Sequence, residues 1–163
     1  MSGTAVAYYE SPIGLLEVKG GENGVTAVNF VGARDPKAAP GGKKALPAAL
    51  AECLVQLGEY FRGERRAFSV KLDLRGTDFQ RRVWKELRAV RFGKTTTYKE
   101  LAKAVGSPAG TRAVGGANHR NPVSIIVPCH RVIGSDGRLT GYGGGLWRKD
   151  WLLRHEGNDL SLC

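Results

Sequence analysis

The chain has 163 residues, a formal net charge of +10, 42% apolar residues and three cysteines. That length supports one folded body or two small lobes with a real core, and the lack of a long apolar run excludes a membrane-spanning helix. Cys53, Cys129 and Cys163 form neither a CxxC pair nor a disulfide framework, so a reducing, cytoplasmic setting is expected. The stretch through Gly20 carries Glu10, Glu17 and Lys19 and has no apolar signal core, so secretion is not expected. The charge is unevenly placed. Residues 1–75 hold ten Lys/Arg against eight Asp/Glu, whereas residues 76–163 hold fifteen against seven. A basic second half beside a near-neutral first half points to a polyanion, and above all to nucleic acid, as partner of the second half.

Residues 4–31 are short β-rich runs separated by Ser11-Pro12-Ile13-Gly14 and by Gly20-Gly21-Glu22-Asn23-Gly24. This pattern predicts an antiparallel meander of three strands. A polar loop follows over 32–44. Leu46, Leu50, Cys53, Leu54, Leu57, Tyr60 and Phe61 then recur at helical spacing up to Gly63, which places Cys53 in a core. Phe68 to Leu74 alternates as one more strand. Nothing in residues 1–75 looks like a chemical site, and this part reads as a scaffold domain.

The character changes at Gly76. Thr77 with Gln80 forms a capping-box pattern ahead of a helix that has Phe79, Val83, Trp84, Leu87 and Val90 on one face. Thr97 with Glu100 repeats the pattern ahead of a second helix that begins at Tyr98. Gly106-Ser107-Pro108 makes a tight connection to a third helix, expected over 109–118. A packing helix followed by two short helices has the outline of a helix-turn-helix. The third helix is unusually small in its side chains, with Ala113, Gly115, Gly116 and Ala117 around one long cation, Arg112. Paired glycines cost about 1 kcal/mol each in a helix. They are tolerated where a backbone must approach something closely, either a core neighbour or a nucleic-acid groove.

Asn121 to Val127 is an apolar run with one Ser, ending in Pro128 and then in Cys129-His130-Arg131. A thiol, an imidazole and a guanidinium in sequence are what a reactive cysteine needs, because a neighbouring base or cation supplies the thiolate. A buried strand that happens to end in Cys accounts for the same residues. In a strand, neighbours 129 and 130 would face opposite ways, so a water relay or a turn set by Pro128 is the easier arrangement. Gly134 to Arg138 is a turn, and Gly141-Tyr142-Gly143-Gly144-Gly145 is an open loop without the Lys-Ser/Thr ending of a phosphate loop. Leu146 to Glu156 is a final helix stopped by Gly157, with Glu156 at the end where the helix dipole disfavours an acid. Residues 158–163 read as a frayed tail, and Cys163 as incidental.

Taken together, Tyr98, Arg112-Ala113-Val114-Gly115-Gly116-Ala117, Asn121-Pro122, Ile126-Val127-Pro128-Cys129-His130-Arg131-Val132-Ile133, Gly141-Tyr142-Gly143-Gly144-Gly145 and Leu152-Leu153-Arg154-His155-Glu156-Gly157 strongly resemble the O6-alkylguanine-DNA alkyltransferases. The resemblance covers residues 77–157. It implies an α+β protein with a ribonuclease H-like first domain over 1–75 (a small antiparallel sheet plus helix). Residues 76–163 become a mostly helical, winged helix-turn-helix-like domain that binds DNA and accepts the alkyl group.

By the same resemblance, Cys129 is expected to take the alkyl group from O6 of guanine, and from O4 of thymine. His130 acts as its base through a water, Glu156 orients the imidazole, and Asn121 ties the recognition helix to the active segment. Arg112 fills the stack left by a flipped nucleotide, Tyr98 crowds its phosphate, and Ala113, Gly115 and Gly116 let the helix sink into the groove. Pro128, Val132, Tyr142 and the Gly143 amide form the base pocket. Some relatives have Ser at 143 and Pro at 124, where this chain has Gly143 and Ser124, and both positions bear on the adduct size tolerated. The implied partner is double-stranded DNA carrying O6-alkylguanine, with no membrane, no cofactor and no metal. A monomer is expected, and cooperation between copies on DNA stays open. The alternatives are a non-catalytic alkyl-lesion-binding protein, which would lack the acceptor thiol, a redox-sensing helix-turn-helix regulator and a Cys-His hydrolase.

Overall fold

Three strands open the chain as an antiparallel meander: β1 (Ala5–Ser11), β2 (Gly14–Gly21) and β3 (Gly24–Val31). The computed structural model describes residues 4–35 and 46–158. Most of the polar loop expected over 32–44 and the tail with Cys163 lie outside those residues. The chain divides into two compact units, 1–75 and 76–163.

In the first unit, Ser11 faces Gly14 across a two-residue turn, and the Ser11 hydroxyl donates to the Gly14 carbonyl. Leu16, Val18, Val25 and Val28 are fully buried on the inner face of the sheet. Helix α1 (Ala48–Phe61) lies against that face through Leu50, Cys53 and Leu57. Burying each such aliphatic side chain contributes about 1.5–3 kcal/mol. Cys53 is a core residue, and burial pushes its thiol up to about 12.

The strand expected over 68–74 is a single bridge. Val25 N–H donates to Lys71 O at 2.9 Å and Asp73 N–H donates to Val25 O at 2.8 Å, with no further ladder. Alternation reports which side chains turn inward, as Val70 does, but it does not count the backbone groups that find partners. The approach is close enough that a Cβ on Gly24 would meet Lys71 O at 2.7 Å.

The second unit begins with α2 (Asp78–Arg88), closed at its start by the full capping box of Thr77 and Gln80. Val83, Trp84 and Leu87 form its buried face, and the Trp84 indole donates to Ala117 O at 2.8 Å. That bond fixes α2 to α4 (Thr111–His119), which pairs with α3 (Tyr98–Ala104) as the helix-turn-helix. The second capping box is half formed. Glu100 N–H donates to the Thr97 hydroxyl, and the Glu100 carboxylate meets the same hydroxyl instead of the Thr97 backbone. Thr97 belongs to β4 (Thr96–Thr97), which pairs in parallel with β5 (Val132–Ile133). This two-residue sheet was not foreseen. It ties the start of α3 to the residues just past Cys129. Helix α5 (Leu146–His155) closes the fold. No helix among the described residues is long and apolar enough to cross a membrane.

Candidate active site

The segment before Cys129 is a knot of turns and not a strand. Ile126 N–H donates to Ser124 O, Val127 N–H to Val123 O and Cys129 N–H to Val127 O, and Ile125 has a φ of +73°. A β-branched residue in the left-handed region is strained. Two observations explain how the turn survives. Ile125 is 1% exposed, so its side chain is anchored by burial. Asn121 clamps the loop, its Nδ2 donating to Val127 O at 2.7 Å while its Oδ1 accepts from Val123 N–H at 3.0 Å. An apolar run is ambiguous between strand and buried turn by composition alone.

Pro128 precedes a short 3₁₀ turn, Cys129–Arg131, in which all three side chains are buried. The turn, not an extended strand, carries the thiol and the imidazole. His130 Nε2 lies 2.8 Å from Glu156 Oε2. Arg131 clasps the same carboxylate, with Nε donating to Oε1 at 2.8 Å and Nη2 to Oε2 at 2.9 Å, while Nη1 donates to Val90 O at 2.6 Å. Burial alone would raise the Glu156 carboxyl, but the His130 and Arg131 contacts reverse that and hold it well below the usual carboxylate range. Burial lowers the His130 pKa despite the pull of Glu156, so the imidazole is neutral at pH 7. A neutral ring beside a carboxylate carries its proton on Nε2, which leaves Nδ1 as a buried acceptor without a hydrogen-bond partner among the described residues. The site therefore holds a base that is oriented, uncharged and ready to accept a proton.

Burial raises the Cys129 thiol above its ordinary value, and Asn121 and Lys149 pull it back. Lys149 was not singled out from the sequence. It is fully buried, its Nζ donates to Thr140 O at 2.9 Å, and burial lowers its pKa to about 8 against the pull of Cys129. Arg131 is expected from the sequence only as a cation near the thiol, whereas it is the Glu156 carboxylate that it clasps. A signal for Lys149 existed, because Lys149, Leu152, Leu153 and Glu156 follow the i, i+3, i+4, i+7 spacing of one buried helix face.

The other residues fall around this centre or on the helix-turn-helix. Val132 is fully buried. The Tyr142 hydroxyl is buried near Ser124 and Cys129 without a formed hydrogen bond among the described residues, and burial pushes its pKa well above the usual value. Gly143 is exposed, and a Cβ there would meet nothing within 4 Å. Tyr98 shares a 2.8 Å hydrogen bond with the Thr140 hydroxyl. Arg112 and Ala113 are exposed on α4, and among the described residues the Arg112 side chain makes no hydrogen bond or ion pair. A Cβ on Gly115 would stand 3.8 Å from the Tyr98 ring, and one on Gly116 would stand 3.5 Å from Arg120 Nη1. Both are ordinary contacts, so packing within the unit does not require these glycines. No group of three or more His, Cys, Asp or Glu lies together as a metal site among the described residues.

Fold and site together define a class: a helix-turn-helix unit that carries a buried cysteine next to an oriented histidine, following a small sheet-and-helix unit in the chain. Comparison with known proteins narrows this. Residues 5–74 match the family model for the 6-O-methylguanine DNA methyltransferase ribonuclease-like domain, and residues 78–158 match that for the DNA binding domain. A methylated-DNA–protein-cysteine methyltransferase of Mycolicibacterium paratuberculosis is 47% identical over 94% of each chain. One from Methanosarcina acetivorans is 47% identical over 93% of this chain and 97% of its own. The crystal structure of Mycobacterium tuberculosis O6-methylguanine methyltransferase superposes with a TM-score of 0.81 at 44% identity, covering 94% of this chain and 93% of its own. A structure of the same organism's protein in complex with DNA gives 0.81 at 47% identity over 91% of this chain and 90% of its own. This chain belongs to the 6-O-methylguanine DNA methyltransferase family.

Proposed function

We propose that the protein repairs DNA directly, moving a methyl or larger alkyl group from O6 of guanine, and from O4 of thymine, onto Cys129. It is a methylated-DNA–protein-cysteine methyltransferase that acts once per molecule. The observation that carries this reading is the burial of Cys129, His130 and Glu156 together, with Glu156 on His130 Nε2 and His130 Nδ1 left to take a proton. The thiol proton passes to Nδ1, through a water, as the nucleophile forms. The sulfur–carbon bond then forms as the carbon–O6 bond breaks, and the electron pair leaves on guanine, which is protonated. Arg131 keeps Glu156 ionised, so that the carboxylate holds the ring and can compensate the imidazolium. The resulting thioether has no leaving group that this site could release.

A guanine inside a duplex cannot reach a buried thiol, so the nucleotide must be flipped out. Arg112, exposed on α4, supplies the side chain that fills the vacated stack, and Ala113, Gly115 and Gly116 let α4 approach the groove. Tyr98 acts at the phosphate next to the flipped nucleotide. Pro128, Val132 and Tyr142 wall the base pocket, and the Gly143 amide donates to O6. Asn121 couples α4 to the nucleophile's turn through Val127. Residues 1–75 serve as scaffold and 76–163 as the DNA-binding, alkyl-accepting domain. The protein works as a cytoplasmic monomer without a cofactor. A role as a non-catalytic lesion binder is disfavoured by the acceptor thiol itself.

The test is to mix the protein with a duplex bearing O6-methylguanine and weigh its peptides. A methyl-sized gain on the Cys129 peptide, absent in Cys129→Ala, is expected. Unmodified protein bound tightly to the lesion would replace this reading with the lesion binder. Arg112→Ala should slow transfer from duplex DNA far more than transfer from a free alkylguanine base, and equal losses would remove Arg112 from flipping.

A further inference from the structure

Among the described residues of the second unit, one buried charge has no carboxylate to meet it. Arg131 and Glu156 compensate each other, and neutral His130 rests against them. Lys149 is as deeply buried, and among the described residues its ammonium forms no ion pair, only the bond to Thr140 O. Taking an ammonium out of water is costly by several kcal/mol unless an anion compensates it. Cys129 is the neighbouring group that supplies an anion when it ionises, and each of the two favours the charged form of the other.

The tether of that ammonium has a second task. Thr140 O accepts from Lys149 Nζ at 2.9 Å, and the Thr140 hydroxyl shares a 2.8 Å hydrogen bond with the Tyr98 phenol. Thr140 stands directly before Gly141-Tyr142-Gly143, a glycine-bracketed stretch with little backbone stiffness of its own. Its two bonds run to α5, which carries Lys149, and to α3, which begins at Tyr98.

We propose that Thr140 is a positioning residue for the alkyl transfer: its carbonyl holds the Lys149 ammonium as counter-ion of the Cys129 thiolate, and its hydroxyl holds the Tyr98 phenol in register with that pair. This rests on Cys129 being the acceptor. One loop residue thereby links the charge state of the nucleophile to the placement of the DNA-side phenol. The other titratable or charged groups around the pair are His130 and Tyr142, with Glu156 and Arg131 behind His130 and Arg148 beside Tyr142.

The two tasks separate experimentally, because one uses the main chain and the other the side chain. Lys149→Met replaces an uncompensated buried ammonium by an apolar chain of similar length, a change that should not prevent folding. Lys149→Gln is the second variant. With full-length protein, the rate of Cys129 alkylation by iodoacetamide is followed against pH by peptide mass. The midpoint should rise by about one pH unit or more in either variant, since a counter-charge of the thiolate is gone. Thr140→Val keeps the carbonyl and the shape but loses the hydroxyl. Its iodoacetamide midpoint should stay with the wild type, while methyl transfer from duplex O6-methylguanine slows about tenfold. Tyr98→Phe should slow transfer similarly, and the double variant should be no slower than either single one, because both remove the same hydrogen bond.

An unchanged midpoint in both Lys149 variants, or multiplying losses for Thr140→Val and Tyr98→Phe, overturns the proposal. Wild-type protein that takes no methyl group onto Cys129 removes the acceptor reading and this proposal with it. That failure is told apart from a failed counter-ion by the iodoacetamide profile, which needs no DNA.

Discussion

Cys53 and Cys129 are both buried and both free, yet they sit in opposite surroundings. Cys53 is on a regular helix among apolar neighbours, where burial has no favourable partner to oppose it and its thiol is pushed up to about 12. Cys129 is in a strained turn where burial also raises the thiol, but Asn121 and Lys149 pull against it and an oriented imidazole stands next in sequence. Burial is common to both, so burial does not make a thiol reactive or inert. The polar groups brought into the same dry space decide it.

That contrast can be broken in several ways. The largest expected effect is on the nucleophile. Cys129→Ala should abolish transfer, and timed iodoacetamide labelling of the native protein at pH 8 should modify Cys129 at least about ten times faster than Cys53. A thiol with a pKa of about 12 is ionised in roughly one molecule in ten thousand at that pH. Equal labelling rates would dissolve the distinction.

Next comes Glu156→Gln, which leaves Arg131 buried without its counter-charge. Breaking a buried pair from one side costs about 3–5 kcal/mol, to be read from urea unfolding, and transfer should fall by about a hundredfold or more. The pH dependence has a definite sign. The Glu156 carboxyl is held below its unfolded value of about 4.3, so its stabilisation is complete above that pH and is lost as pH falls below it. The wild type should therefore lose stability below about pH 4.3 more steeply than Glu156→Gln.

Asn121→Ala removes two buried hydrogen bonds and should cost about 2–3 kcal/mol. Transfer should fall with it because the turn carrying Cys129 loosens. The smallest effect belongs to Cys53→Ala, about 1–2 kcal/mol of stability from a small cavity, with the transfer rate unchanged within twofold.

Much of the first unit was legible, because alternating runs cut by Gly and Pro specify a meander and a helical stripe specifies α1. The helix-turn-helix was legible through the Thr77 and Thr97 caps. What escaped depended on pairings distant in sequence. The bridge of Val25 with Leu72 and the parallel β4–β5 pair join residues whose local patterns say nothing of each other. Asn121 to Val127 escaped for another reason: a buried turn and a buried strand share the same apolar composition. At the candidate site, resemblance singled out Cys129, His130, Glu156 and Asn121, all four of which are buried. Lys149, Thr140 and the task of Arg131 were not, because their meaning lies in a charge balance visible only after folding.

The left-handed Ile125 has a thermal consequence. Glycine there would relieve strain of about 1 kcal/mol. It would also forfeit about 2 kcal/mol of side-chain burial and free the unfolded chain. The turn that presents Cys129 is thus held in an unfavourable backbone state by water's exclusion from one isoleucine together with the Asn121 clamp. That driving force weakens on cooling. The presentation of the nucleophile should accordingly soften in the cold before the α-helices around it do, giving this repair reaction a lower temperature limit set by packing as well as by chemistry.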